Sequence, residues 1–292
     1  MIYLQTYEYW KDGEKSVKKI ELKDLQSMIE KHCKDFSWVD HPIYRGMYNN
    51  DVLNLNDAML FKPRLSKRMS ENTQNYYTWI IDNSPAYKEY PDRSKSLICT
   101  DDRVTSEYFG NEECWRVIPF DGAKIGVCSS LDLWGSYDNG LKPLSNKYYQ
   151  LDDFNSKIEI YYEALFSETN FGQPKSAKEF FINLKKMLDK MEDFEKNDYE
   201  IMKQNYKYPD WVDIDFAMNL PKTVKGVMDL FDPKLNGFKL MDYKDYAKNA
   251  PIDREVWIGA DCILVHVVIA EELEERLRKG GKYIYKDIEK IR

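Results

Sequence analysis

Apolar positions at Leu22, Leu25, Met28 and Ile29 recur at helical spacing and predict a helix over Leu22–Cys33. A second helical pattern runs from Ser70 to Asp82, with Ser70 as N-cap ahead of Tyr76, Tyr77, Trp79, Ile80 and Ile81. The longest spans Ser176 to Lys203. There Phe180, Phe181, Leu184, Met187, Leu188, Met191 and Phe194 interleave with Lys and Glu, which predicts one continuous amphipathic helix. Shorter helices are expected over Asp102–Phe109, closed by Gly110, over Lys222–Phe231 and over Glu271–Lys279.

Strand-like runs sit early and late. Residues 1–20 read as an exposed strand-like start, His41–Met47 as a short strand interrupted by Gly46, and Ser96–Thr100 and Cys114–Pro119 as buried strands. Asp121-Gly122 marks a turn before Ala123–Val127, and Arg254–Ile258 and Cys262–Val268 form a pair around Gly259. Strands at both ends with helices between them define an α+β class, in which residues 135–250 are a largely helical insertion or partner-binding subdomain of a single domain over 1–292.

Composition narrows the function. The 292 residues include 22 Tyr, 13 Phe and 7 Trp, enough aromatic surface to build a core despite 32% charged residues. Lys and Arg number 43 against 50 Asp and Glu, a net charge of −7 without a basic run, so nucleic acid is not an expected partner. No stretch reaches the ~18 to 20 apolar residues of a membrane span, and the start lacks a signal-peptide pattern. A soluble, cytoplasmic protein is expected. Cys33, Cys99, Cys114, Cys128 and Cys262 are widely spaced without a CxxC pair, and His32, His41 and His266 are scattered, so neither a disulfide framework nor a metal site is expected.

Three segments place polar groups among apolar neighbours. Arg45, in Ile43-Tyr44-Arg45-Gly46, can grip a phosphate or ribose through its fixed fork of donors, or pair a surface carboxylate. Ser96-Leu97-Ile98-Cys99-Thr100-Asp101 ends in hydroxyl and carboxylate groups that can position a sugar hydroxyl, or cap the next helix. In Asp253-Arg254-Glu255-Val256 an extended strand would put Asp253 and Glu255 on one face, where two carboxylates suit a cationic transition state; a solvated edge is the alternative.

Together these segments resemble the ADP-ribosyltransferase family of the Arg-Ser-Glu type: an Arg on an early core strand, a Ser/Thr strand followed by a short helix, and a late strand with a catalytic Glu. The matches are Arg45, Cys99-Thr100-Asp101 with Tyr108-Phe109 behind it, and Asp253-x-Glu255-Val256, over about residues 41–130 and 250–270. The texture of Ser70–Thr78 and Arg93-Ser94-Lys95-Ser96 is similar to phage proteins with this core. Two departures stand out: Cys99-Thr100-Asp101 replaces Ser-Thr-Ser, and Asp253 replaces the Glu or Gln two positions before the catalytic residue.

The resemblance implies a split mixed or antiparallel β core and NAD as substrate. It implies Glu255, Asp253 and Thr100 as catalytic residues, and Arg45, Tyr44, Ser96 and Tyr108 as NAD-binding residues, with no metal. Glu255 would face the charge on the ribose, Thr100 or Ser96 would support it, and Tyr44 or Tyr108 would stack on nicotinamide. Asp253 would orient or deprotonate an acceptor, expected to be a host protein met in the host cytoplasm. The second hypothesis is a phage inhibitor on the same scaffold that binds a host defence complex without chemistry. A homo-oligomer stays open. A glycoside hydrolase ranks third, since two carboxylates ~7 Å apart on one strand would not flank a substrate.

Overall fold

Short apolar runs become strands where both faces are covered, and Leu97–Thr100 and Cys114–Pro119 are buried along their whole length. The computed structural model describes residues 17–47, 58–63, 67, 75–111, 113–144, 151–166 and 174–279. Its strands are β1 (Val17–Ile20), β2 (Tyr44–Gly46), β3 (Ala58–Phe61), β4 (Leu97–Thr100), β5 (Cys114–Pro119), β6 (Lys124–Val127), β7 (Lys239–Asp242), β8 (Glu255–Ile258) and β9 (Cys262–His266). They form one open sheet in the order β1-β3-β9-β5-β2-β4-β8-β6-β7, antiparallel at every pairing.

The helices described are α1 (Leu22–His32), α2 (Tyr76–Asn83), α3 (Arg103–Gly110), α4 (Asp138–Leu141), α5 (Leu151–Phe166), α6 (Ala177–Met191), α7 (Lys196–Asn205), α8 (Ile214–Asn219), α9 (Val224–Asp229), α10 (Tyr243–Asn249) and α11 (Val267–Arg278). The class is α+β. No helix among the described residues is long and apolar enough to cross a membrane. The chain divides into a sheet unit, residues 1–72, 89–132 and 239–292, and a helical unit, residues 73–88 and 133–238. Of the stretch expected as an insertion, β7 and α10 thus belong with the sheet.

Alternation along the strands feeds two cores in the sheet unit. Leu97, Cys99, Val117, Val256 and Leu264 pack with Tyr243 and Tyr246 of α10. Ile118, Ile263 and Val265, the alternate residues, pack with Leu25 and Ile29 of α1 and Ile269 and Leu273 of α11. Gly46 of β2 lies directly on α3, where an added Cβ would overlap the Ser106 carbonyl oxygen and crowd the Gly110 nitrogen. Only glycine permits this approach.

The helical unit is packed by aromatics. Phe180 of α6 lies 4.9 Å from Tyr76 and 5.6 Å from Trp79 of α2, and Phe154 of α5 contacts Phe216 and Phe231.

Three expected boundaries are corrected. The helix predicted over Ser176–Lys203 is two. Ser176 caps α6 through its hydroxyl, but the chain turns at Glu192–Glu195. There the Glu195 amide donates to the Asp198 carboxylate at 2.8 Å and Phe194 packs 5.4 Å from Tyr199, so a new cap and a hydrophobic staple start α7. Gly110 does not close α3: it is the last helical residue, and Asn111 takes the left-handed turn at φ 51°. The last strand stops at His266, because Val267 opens α11. Ser70, the expected cap of α2, lies outside the described residues, as do residues 1–16 of the expected first strand.

Candidate active site

The three motif segments, separated by up to 210 positions in sequence, lie on neighbouring strands, since β2, β4 and β8 are adjacent in the sheet. Tyr44 stands opposite Thr100, and Thr100 opposite Glu255. On the other side of β2, Tyr44 stands opposite Arg116. Directly paired residues share a face, so Arg116, Tyr44, Thr100 and Glu255 form one row across four strands.

Arg45 alternates away from that row. Strand β2 pairs with β5 at three positions but with β4 only at Tyr44–Thr100. Arg45 reaches β4 by its side chain instead, donating from Nη1 to the Ile98 carbonyl at 2.6 Å. Burial pushes the guanidinium below the ordinary arginine value, with Cys99 and Glu255 pulling it back up.

Glu255 opens β8. Its amide donates to Ser130 O at 3.0 Å and its carbonyl accepts from Cys128 N at 2.9 Å. The side chain is 5% exposed, and Oε1 accepts from Nη2 of Arg93 at 2.7 Å, itself 5% exposed. Arg93 sits in a single helical turn, Arg93–Lys95, before β4. The Ser96 hydroxyl donates to Asp92 O at 2.8 Å and so closes the turn that presents Arg93. Thr100 Oγ1 accepts from the Asp102 amide at 3.1 Å, tying the end of β4 to the cap of α3.

Asp253 departs from the expected geometry. It is exposed, precedes β8 and has φ 58°, so it does not share the strand face of Glu255. The cause is Asp101, whose Oδ1 accepts from the Arg254 amide at 2.7 Å while its own amide donates to Arg254 O at 3.2 Å. This clamp fixes Arg254 and leaves Asp253 to turn the chain in the left-handed region that aspartate tolerates. Tyr108 also stays apart: it is 76% exposed on α3, in edge contact with Phe109. Tyr44 is half-buried, its ring 5.8 Å from the Arg116 guanidinium.

Two polar partners escaped the sequence reading. Arg93 was visible only as part of Arg93-Ser94-Lys95-Ser96, and its carboxylate lies 162 positions away. His41 Nε2 lies 3.2 Å from Asp101 Oδ2, a pairing that scattered histidines do not announce. Chemically, Arg93 and Glu255 form a desolvated guanidinium–carboxylate pair, with the buried Arg45 guanidinium within its electrostatic reach, a set of groups that can hold phosphate oxygens and stabilise a developing cation.

No protein-family model matches the chain, and neither a curated protein nor a solved structure is significantly similar to it.

Proposed function

We propose that the chain transfers ADP-ribose from NAD to a protein acceptor, with Glu255 as its catalytic carboxylate. The observation that carries this reading is the adjacency of β2, β4 and β8, which brings the Arg45, Thr100 and Glu255 segments into neighbouring strands. Breaking the nicotinamide–ribose bond sends the electron pair out with nicotinamide and develops positive charge on the ribose. Glu255 faces that charge and stabilises it more in the transition state than in the ground state. The acceptor nucleophile then bonds to the same ribose carbon and loses its proton, with the exposed Asp253 on the acceptor side.

The charge inventory fits the substrate. Arg45 and Arg93 supply guanidiniums for a diphosphate, and Arg93, bonded to Glu255 in the described state, exchanges one anion for the other as NAD enters. Thr100 holds the end of β4 beside Glu255.

One observation favours a second reading, a host-defence-binding protein on this scaffold without catalysis: the Glu255 carboxylate is buried and engaged by Arg93. Incubation with labelled NAD and a host lysate separates the two. Labelled protein with wild type but not with Glu255→Gln supports the transferase; absence of label, with a stable co-purifying host complex, supports the inhibitor.

A further inference from the structure

We infer, resting on the transferase reading proposed above, that Asp101 positions Glu255 through the main chain of Arg254. Along an antiparallel strand, successive residues turn their amide and carbonyl toward opposite neighbours. Glu255 turns both away from β4, donating to Ser130 O at 3.0 Å and accepting from Cys128 N at 2.9 Å. The ties from β8 to β4 on either side of it are therefore Arg254, opposite Asp101, and Val256, opposite Cys99.

At Arg254 the tie is altered. A regular pair would exchange two main-chain bonds. Here the Asp101 amide donates to Arg254 O at 3.2 Å, but the Arg254 amide donates to the Asp101 carboxylate, Oδ1, at 2.7 Å. A side-chain oxygen thus stands in for a carbonyl in the last rung, and the chain ahead of it leaves the sheet through Asp253 at φ 58°. Glu255 opens β8, so this rung is what holds its N-terminal side against β4.

Asp101 is itself held on every side. Its side chain is 1% exposed, and Oδ2 lies 3.2 Å from His41 Nε2, so both oxygens are engaged. Thr100 Oγ1 accepts from the Asp102 amide, and Asp102 caps α3, which fixes the chain on both sides of Asp101. His41 is anchored by its amide bond to Ala247 O at 3.0 Å and by an edge contact with Tyr246 of α10. Following Thr100, which shares the face of Glu255, Asp101 points to the other face, the one α10 covers. It therefore acts through the backbone and not on substrate. Burying a carboxylate carries a desolvation cost that a main-chain oxygen would avoid. Pairing two strands does not require that cost, whereas fixing the peptide plane ahead of a preorganised carboxylate gives it a use. A displacement of about 1 Å at such a group can cost about a hundredfold in rate.

The test combines nicotinamide release from NAD with amide hydrogen exchange in the full chain. Asp101→Ala should lower kcat about tenfold to a hundredfold and leave KM for NAD within roughly twofold, the pattern of a lost transition-state interaction. The Arg254 amide should exchange faster while those of Val256 and Leu264 stay protected. Asp101→Asn, whose amide oxygen still accepts from Arg254, should recover most of both losses. His41→Ala, which releases Oδ2, should lower kcat severalfold and decides the matter if Asp101→Ala does not fold. No release by wild type would overturn the transferase reading and this inference with it. With release by wild type, an unchanged kcat in folded Asp101→Ala, or in His41→Ala where the former does not fold, would overturn this inference alone. So would an Asp101→Asn variant as impaired as Asp101→Ala, or loss of Val256 and Leu264 protection alongside Arg254, the mark of a merely structural role.

Discussion

In the sheet unit, Arg45, Arg93, Arg116 and Glu255 are all buried, on β2, β5 and β8 and the turn before β4. In the helical unit, the pairs Lys185–Asp189, Lys207–Glu163 and Lys225–Asp229 keep their lysines at least half exposed. Its interior is filled by Tyr76, Phe154, Phe180, Phe216 and Phe231, and the buried amide of Asn236 is satisfied by Gly140, Leu230 and Asp232 main chain. Apolar groups of similar volume often stabilise as well as a buried ion pair or better. Stability therefore accounts for the aromatic core of the helical unit but not for the ions at the centre of the sheet, and that is where chemistry is to be sought.

The largest effect that tests this contrast is expected from Arg93→Ala. It removes the buried guanidinium that faces the Glu255 carboxylate and should cost about 4 kcal/mol in denaturant unfolding. The paired change Arg93→Met with Glu255→Leu should recover most of that loss, because both buried charges of the pair are removed together; a double variant as unstable as the single one would break the comparison. Glu255→Gln is affected by the same contact. The isosteric change keeps shape, but it removes the charge facing Arg93, so some stability should be lost along with activity.

In the helical unit, Phe180→Ala should cost about 3 kcal/mol by leaving a cavity between Tyr76 and Trp79. That loss should be independent of salt, and a strong salt dependence would mean that charge also supports this core. Asp102→Ala comes next. Its carboxylate accepts from the Val104 and Thr105 amides, a cap worth about 1 kcal/mol. Burial pushes the Asp102 carboxyl up, but its bonds to Thr105 and Val104 outweigh that and hold it below the ordinary value. The cap therefore contributes fully above the usual aspartate pKa of about 4, and the contribution fades as pH falls through the depressed folded value. The gap between wild type and Asp102→Ala should close on acidification; a widening gap would contradict the assignment. Smallest of all, Lys225→Gln should change stability by about 0.5 kcal/mol or less, since its pair with Asp229 is solvated.

What was legible in the sequence follows the same physics. Leu97–Thr100, Cys114–Pro119 and Glu255–Ile258 show as apolar runs because both of their faces are covered, and the stripe of Leu22, Leu25 and Ile29 shows because one face is. β7 passed unnoticed because Lys239–Asp242 is an edge strand whose ends are exposed, which leaves no apolar run. At the site, Arg45, Thr100 and Glu255 could be picked out because each is a polar residue inside such a run. The turn at Asp253 could not, since it depends on the clamp from Asp101, 153 positions before Arg254. Arg93 read as an ordinary basic residue until the fold showed it facing Glu255.

Nicotinamide release from NAD tests the central claim most directly. It is to be measured for wild type and Glu255→Gln at a temperature where circular dichroism shows both folded. Wild type should release nicotinamide, and release should fall about a hundredfold or more in Glu255→Gln, the scale of losing one preorganised electrostatic group. Equal release by the two proteins, or none by wild type, would contradict that claim.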